Sequence, residues 1–465
     1  MCSVTALWTN EELLAAVCGT AEGTFPVNGV AFDSREIGQG DLFFAMKGEA
    51  TDGHLFVDQA FANGAAGAIV SEPVSHPHIL VEDTMEALNA LGRVSRARGD
   101  GKVIGVTGSV GKTGTKEALY AALDRSSRGH AHRSVKSYNN HIGVPLSLAR
   151  MPRDTQFGVF EMGMNHPGEL RELTRLVRPD VAIITTIAPA HIGFFKDEAE
   201  IADAKAEIFE GLMPDGTAIV PADSVYYAQL RAAAEKYADN IVSFGFAPSA
   251  DVRVLDYVVS SDGGSLITAK LPRGNLCYSL SQPGRHWIAN SLAVLAAVEA
   301  VGGDLAAAGL AMAELDDMEG RGARHRIAVG NGSALLIDES YNANPASMAS
   351  TISELGNNAP GRRIVVLGGM KELGAMSDEY HLALAKPLAI ANVDFAIFIG
   401  EEMQVLVDKL EAGLEGPVKF AHCASANSAL DLLKENLREM DTILVKGSNS
   451  FGLSSIIKAL TGKGS

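Results

Sequence analysis

The stretch Lys102-Val-Ile-Gly-Val-Thr-Gly-Ser-Val-Gly-Lys-Thr-Gly-Thr-Lys-Glu117 decides the fold. An apolar β-type run, Val103, Ile104 and Val106, enters a glycine-rich turn. The turn closes on Gly111-Lys112-Thr113, and a helical pattern follows from Lys116 to Leu123. Strand, glycine loop, Lys-Thr and helix together make a phosphate-binding loop. Backbone N–H groups and a helix N-terminus take the anion, the lysine adds a point charge, and the threonine hydroxyl can ligate Mg²⁺. Gly108, Ser109, Val110, Gly111, Lys112 and Thr113 are therefore the candidate nucleotide-binding residues. The spacing is a short G-x-x-G-K-T, because the Walker pattern wants a glycine where Val106 stands.

Length and composition bound the rest. A chain of 465 residues exceeds one core, so two to four domains are expected. Apolar residues at 47% and charged residues at 20% describe an ordinary globular protein. A net charge of −17 argues against nucleic acid or an anionic membrane as a main partner. Small anionic substrates remain open, since they need only a local basic site. Cys2, Cys18, Cys277 and Cys423 are scattered without metal-ligand spacing, which fits a reduced, cytoplasmic setting. The segment Met1 to Glu12 lacks the basic and apolar regions of a signal peptide. The apolar stretch from Leu292 to Leu315 carries Glu299, Asp304 and Glu314, so it reads as buried helices and not as a membrane span.

The chain reads as α/β throughout, in three units. Residues 1–99 form a small mixed α/β domain. It contains Asp33-Ser34-Arg35, which fits either a site for a phosphorylated ligand or a surface turn with its own Asp–Arg pair. Residues 100–320 alternate strands with helices, as a mainly parallel sheet requires. Strands are expected at Val103–Val106, Phe157–Met162, Val181–Ile187, Thr217–Pro221 and Ile241–Phe244, with hairpins around Asp262. Residues 321–465 continue the alternation, with a helix expected over Tyr380–Ala391, as a Rossmann-like domain without a G-x-G-x-x-G fingerprint, so nothing points to NAD.

Ligands in such sheets sit beyond the C-terminal strand ends, where the polar residues cluster. Glu161 ends the run from Phe157, and a carboxylate beside a phosphate loop is the usual second Mg²⁺ anchor. His191 follows the run from Ala182. Lys205 lies four residues after Ile201 and three before Ile208, on the apolar face of a helix. A buried lysine tends toward the neutral amine, which can react with carbon dioxide to form a carbamate; a snorkelling lysine is the simpler alternative. His286 and Asn290 share a helix face, suited to a base or ribose or to capping the helix.

These residues sit in strings that resemble the Mur ligases of peptidoglycan assembly over essentially the whole chain. The strings are Asp33-Ser34-Arg35 with Gly40 to Ala45, Thr107 to Thr113, Asn139-Asn140 to Pro145, Glu161 to Glu169, Ile187 to His191, Ala204 to Phe209, Gly284 to Asn290, and Ile337 to Pro345. Within the family, Ser340-Tyr-Asn-Ala-Asn-Pro345 and Glu161-Met-Gly…His-Pro-Gly-Glu169 look like the branch that adds D-alanyl-D-alanine to a UDP-linked muramoyl tripeptide. The resemblance implies ATP and two Mg²⁺ ions. Lys112, Lys205 (carbamylated) and His191 would be the catalytic residues, with Thr113, Glu161 and His191 at the metals. Asn290, Arg321 and Asp338, or its neighbour Glu339, would surround ATP. Asp33, Ser34, Arg35, Asn139, Asn140, Tyr341 and Asn344 would face the substrates. It further implies a cytoplasmic monomer with no nucleic acid partner and no stable membrane association. Four positions depart from the family pattern: Gly114, Thr186, Gly369 and Asn449. The last two lie where the dipeptide is expected. A sister amide ligase of the same fold, such as a folylpolyglutamate synthase or the ligase adding the third amino acid, is the alternative, and a P-loop module that binds ATP without ligation is a more distant one.

Overall fold

A computed structural model describes residues 6–48, 51–260, 263–359, 361–413 and 418–462. Cys2 and Asp262 lie outside them. The described residues build three sheets. The first has five strands in the order Thr20–Glu22, His78–Leu80, Gly67–Val70, Asp41–Phe44 and Gly29–Ala31, parallel except for the Thr20–Glu22 edge. Helix Thr84–Ala97 covers it, started by the Asp83 carboxylate accepting from the Met85 and Glu86 N–H groups.

The central sheet has nine strands. From one edge they are Gly274–Leu280, Ser265–Leu271, Val252–Val259, Asn240–Gly245, Thr217–Pro221, Val181–Ile184, Lys102–Thr107, Phe157–Glu161 and Ala131–Arg133. Pairing is parallel from Val252–Val259 through to Ala131–Arg133, and antiparallel hairpins finish the other edge. Strand Val181–Ile184 is buried at every residue, as expected when helices cover both faces. Helices Lys112–Ser127 and Arg285–Ala300 contribute to the core on one face. The core on the other face runs on into the third unit, where Ala343 and Met348 join it.

The third sheet runs Ala323–Val329, Gly332–Glu339, Thr442–Lys446, Arg363–Gly368, Phe395–Ile399 and Lys419–Cys423, parallel except at the Ala323–Val329 edge. Among the described residues no helix is long and apolar enough to cross a membrane.

Two elements differ from the sequence expectation. The strand from Val181 ends at Ile184, not Ile187. Thr185 turns its hydroxyl onto the Thr107 and Val110 carbonyls, and Thr186 O accepts from Ser109 N–H. The segment therefore buttresses the phosphate loop instead of extending the sheet. The helix expected over Tyr380–Ala391 is two, Ser377–Leu382 and Ala385–Ile390. Pro387 offers no N–H to the Ala383 carbonyl, and its ring would crowd that carbonyl in a continuous helix.

Candidate active site

Strand Lys102–Thr107 lies between Val181–Ile184 and Phe157–Glu161, so its C-terminal end opens between two neighbouring strand ends. The glycine loop turns there. Gly108 has φ +148° and Gly111 φ +89°, both in the region that favours glycine. A Cβ at Gly108 would run into Thr185 Oγ1. Helix Lys112–Ser127 begins directly after Gly111, and no side chain caps its first N–H groups. These are left to receive an anion. Lys112 Nζ folds back to donate to Gly108 O at 2.6 Å. Ser109 fixes the loop by donating to Ala188 O at 2.8 Å and accepting from Ala188 N–H at 3.0 Å.

Glu161 is 1% exposed at the end of its strand. It accepts from Thr113 Oγ1 at 2.9 Å and from Asn139 Nδ2 at 2.8 Å. His191 sits on a left-handed turn at φ +60°, and its Nδ1 pairs with the Glu372 carboxylate of the third unit. Burial pushes the His191 pKa down; Glu372 opposes this, and the positive charges of Lys112 and Lys205 reinforce it. Lys205 is 2% exposed on helix Glu198–Ala206, and its side-chain amine makes no hydrogen bond or ion pair among the described residues. Burial and then repulsion from Lys112 hold its pKa well below the usual lysine range, which favours the neutral amine.

A cleft opens here between the central and third units. Lys112, Thr113, Glu161, His191, Asn139 and Asn290 line it from the central unit. Arg321, Tyr341, Asn344 and Lys446 line it from the other side. The Arg321 guanidinium stacks 4.0 Å above the Tyr341 ring and donates to Ser137 Oγ. Asn344 accepts from Ser347 N–H and so starts helix Pro345–Asn358. Lys205 lies behind this lining, near Lys112.

Two of the expected residues stand outside the lining of this cleft. Asp338 does not border the cleft. It is 4% exposed and accepts from Gly320 N–H, Ser340 N–H and Ser340 Oγ, so it holds the turn together from behind. Side chains alternate along strand Gly332–Glu339, and the neighbouring Glu339 takes the cleft-facing position. Asn140 also lies outside the lining. Its Oδ1 accepts from Ile142 and Gly143 N–H just ahead of helix Gly143–Ala149.

Asp33, Ser34 and Arg35 form a short turn in the first unit, away from the cleft. Arg35 makes a two-pronged pair with Asp33 at 2.9 and 2.6 Å, and Ser34 is buried. The adjacent Glu36 bonds Tyr138 Oη and Lys136 of the central unit, tying the two units together.

Sequence reasoning missed Lys446, 2% exposed, whose Nζ donates to Glu339 Oε2 and Asn342 O, each at 3.0 Å. Its signal was available: a lone charged residue closing the apolar strand Thr442–Lys446. Glu372 carried no such signal, because its partner is 181 residues away.

The chain matches the family description "Mur ligase family, catalytic domain" over residues 26–96, the Mur ligase middle domain over 106–298, and the Mur ligase glutamate ligase domain over 324–449. It is 34% identical to the UDP-N-acetylmuramoyl-tripeptide–D-alanyl-D-alanine ligase of Escherichia coli (strain K12), covering 98% of this chain and 99% of that one. Its fold is similar to a crystal structure of MurF from Acinetobacter baumannii, with a TM-score of 0.84, 31% identity, and coverage of 98% and 99%. It is also similar to the MurF ligase of Thermotoga maritima in complex with ADP, with a TM-score of 0.76, 26% identity, and coverage of 94% and 97%. On its sequence matches and its site together, this chain belongs to the Mur ligase family.

Proposed function

We infer that the protein is an ATP-dependent ligase that joins D-alanyl-D-alanine to UDP-N-acetylmuramoyl-tripeptide, giving the pentapeptide, ADP and phosphate. One observation carries this reading. A phosphate loop with a buried carboxylate, Thr113 against Glu161, faces a second unit's Arg321, Tyr341 and Lys446 across a single cleft. The names of the full-length relatives supply the substrates. Residues 1–99 are assigned the UDP end, with Asp33, Ser34 and Arg35. Residues 100–320 are assigned ATP, and residues 321–465 close on ATP and receive the dipeptide.

A peptide carboxylate is a poor electrophile. Its oxygen attacks the γ-phosphorus, a P–O bond forms, and the bond to ADP breaks, leaving an acyl phosphate. The dipeptide's neutral amine then attacks the acyl carbon. A C–N bond forms, the tetrahedral centre collapses, and phosphate departs with the surplus proton. Lys112 exchanges the Gly108 carbonyl for a phosphate oxygen and meets the charge that develops there. Water would hydrolyse the acyl phosphate, so the third unit is assigned to cover the cleft, and the His191–Glu372 pair between the two units supports that assignment.

The oxygen donors of Thr113 and Glu161 suit Mg²⁺, a hard cation that keeps few protein ligands and shares the rest with phosphate and water. Mg²⁺ held there would supply charge neutralisation on the transferring phosphoryl group. Thr113 and Glu161 would hold one ion, and His191 with a carbamylated Lys205 would stand near a second. A carbamate at Lys205 Nζ would replace the present repulsion from Lys112 with attraction. The reading places the enzyme in the cytoplasm as a monomer acting on small molecules, with no nucleic acid and no stable membrane association.

Phosphate release measured with UDP-N-acetylmuramoyl-tripeptide and ATP tests the reading. D-Alanyl-D-alanine should stimulate release. Equal release with a single diamino acid or glutamate would overturn it in favour of a sister ligase.

A further inference from the structure

The helix that starts at the phosphate loop carries a lysine that the phosphoryl chemistry does not use. Lys116 is fully buried, three residues and about one turn after Thr113 on helix Lys112–Ser127. An ammonium is costly to bury unless its N–H groups find partners. Lys116 Nζ donates to Lys136 O at 2.7 Å and to Ser134 O at 3.0 Å, and it pairs with Glu117 Oε1 at 2.8 Å. Three partners match the three donors of the ammonium. Two of them are main-chain carbonyls of one segment, so the charge fixes where that segment lies.

Residues 134–140 follow the edge strand Ala131–Arg133 and form neither helix nor strand. Lys136 stands at φ +54°, a left-handed position that a side chain adopts at a cost, so the bend depends on outside contacts. The segment meets Glu161 twice. Ser134 Oγ accepts from Glu161 N–H at 3.2 Å, and Asn139 Nδ2 donates to Glu161 Oε1 at 2.8 Å. Asn139 O also accepts from Gly163 N–H at 2.7 Å, and a Cβ on Gly163 would lie 2.9 Å from Asn139 Cγ. The first unit reaches the same segment through Glu36, on Lys136 and Tyr138, and the third through Arg321, on Ser137 Oγ. Lys116 holds it from the phosphate-loop helix. One turn of that helix therefore acts on both carboxylate oxygens of Glu161. Thr113 bonds Oε2 directly, and Lys116 anchors the segment whose amide bonds Oε1.

We propose that Lys116 is a positioning residue for the reaction: it fixes residues 134–140 so that Ser134 and Asn139 orient the Glu161 carboxylate for a divalent cation beside the transferring phosphate. This rests on the reading of Glu161 as a metal-holding carboxylate, and the test separates the two claims.

Lys116→Met keeps the apolar stem and removes the three donors. It should lower kcat roughly tenfold or more, as misplacement of a reacting group does, and raise several-fold the Mg²⁺ concentration that gives half the maximal rate. A smaller folded fraction would scale the rate and leave that concentration unchanged. Calorimetry of ATP without the muramoyl substrate reads the same effect without turnover. Mg²⁺ should tighten ATP binding to the parent over binding in EDTA, and Lys116→Met should lose most of that tightening. Lys116→Gln, which keeps an amide donor, should fall between the two and serves the same measurements if Lys116→Met does not fold. Combined with Glu161→Gln, the lysine variant should be no slower than Glu161→Gln alone, because residues that act as one unit are not additive. Parental Mg²⁺ dependence in the folded variant overturns the proposal, as do losses that multiply in the double variant. Failure of both Lys116→Met and Lys116→Gln to fold overturns it too, in favour of a folding role. If Mg²⁺ does not tighten ATP binding to the parent and Glu161→Gln keeps the parental rate, the metal reading of Glu161 falls and this proposal with it.

Discussion

Thr113 Oγ1 donates to Glu161 Oε2 over 2.9 Å, joining the first turn of the loop helix to the end of the neighbouring strand. Asn139 Nδ2 occupies the other carboxylate oxygen at 2.8 Å. A buried carboxylate held from both sides is preorganised for a cation beside the phosphate. Glu161→Gln keeps the shape and removes the charge. On the proposed mechanism it should lower kcat by roughly a hundredfold or more, with thermal stability close to the parent. Thr113→Ser should keep activity that Thr113→Val loses. Steady-state rates across a Mg²⁺ titration check this, and a Glu161→Gln enzyme with parental kcat removes Glu161 from the metal site.

Lys205 makes a separate prediction. Its amine is buried beside Lys112, and no partner among the described residues stabilises a charge on it. Lys205→Ala should lose activity by roughly a hundredfold or more if the carbamate acts as an anion near the transferring phosphate. Bicarbonate should not restore the variant, because no amine remains to be carbamylated. Acetate or another short carboxylate should restore part of the rate. Full activity in Lys205→Ala ends that role.

The loop and its partners were legible because their chemistry is local or ends a strand. Gly111-Lys112-Thr113 announces itself in three residues, and Glu161 is a lone acid closing an apolar run. Lys446 follows the same rule, a lone charge closing the apolar strand Thr442–Lys446. Asp338 against Glu339 was a matter of parity. A one-residue shift along a strand reverses which side chain meets the cleft, and composition does not set that phase. Glu372 and Lys116 depend on where separate units and segments come to rest, so their partners cannot be found by spacing. The strand at Val181–Ile184 was read too long because Thr185 and Thr186, good strand residues, are used to brace the loop.

His132 predicts an acid-side loss of stability unrelated to catalysis. Burial pushes its pKa from 6.5 down to about 4; the hydrogen bond to Ser147 O opposes this only in part. The unfolded chain binds this proton below about pH 6.5, while the folded chain resists it until about pH 4. Stability should therefore fall as pH drops through that window and level off below it. The full effect is about 3 kcal/mol for this one group. His132→Leu should flatten that part of the curve. Denaturant unfolding between pH 7 and 4 measures it, and identical slopes in parent and variant would remove His132 as the cause.

Lys446 and Glu339 are partners in the parallel register of strands Thr442–Lys446 and Gly332–Glu339, and their side chains pair at the cleft wall. The same ammonium donates to Asn342 O, so one charge holds both the acid and the turn that carries Tyr341 and Asn344. Lys446→Met keeps the apolar stem but leaves Glu339 uncompensated. Lys446 is buried but Glu339 is partly exposed at the cleft, so losing the lysine should cost about 1–3 kcal/mol. Adding Glu339→Gln should recover much of that cost, since no charge is then stranded. The turn would still lack its anchor at Asn342. The double variant should therefore regain stability while its KM for ATP stays several-fold above that of Glu339→Gln alone. This split distinguishes a positioning role from a purely structural one: if the double variant and Glu339→Gln share one KM, the lysine matters only for folding.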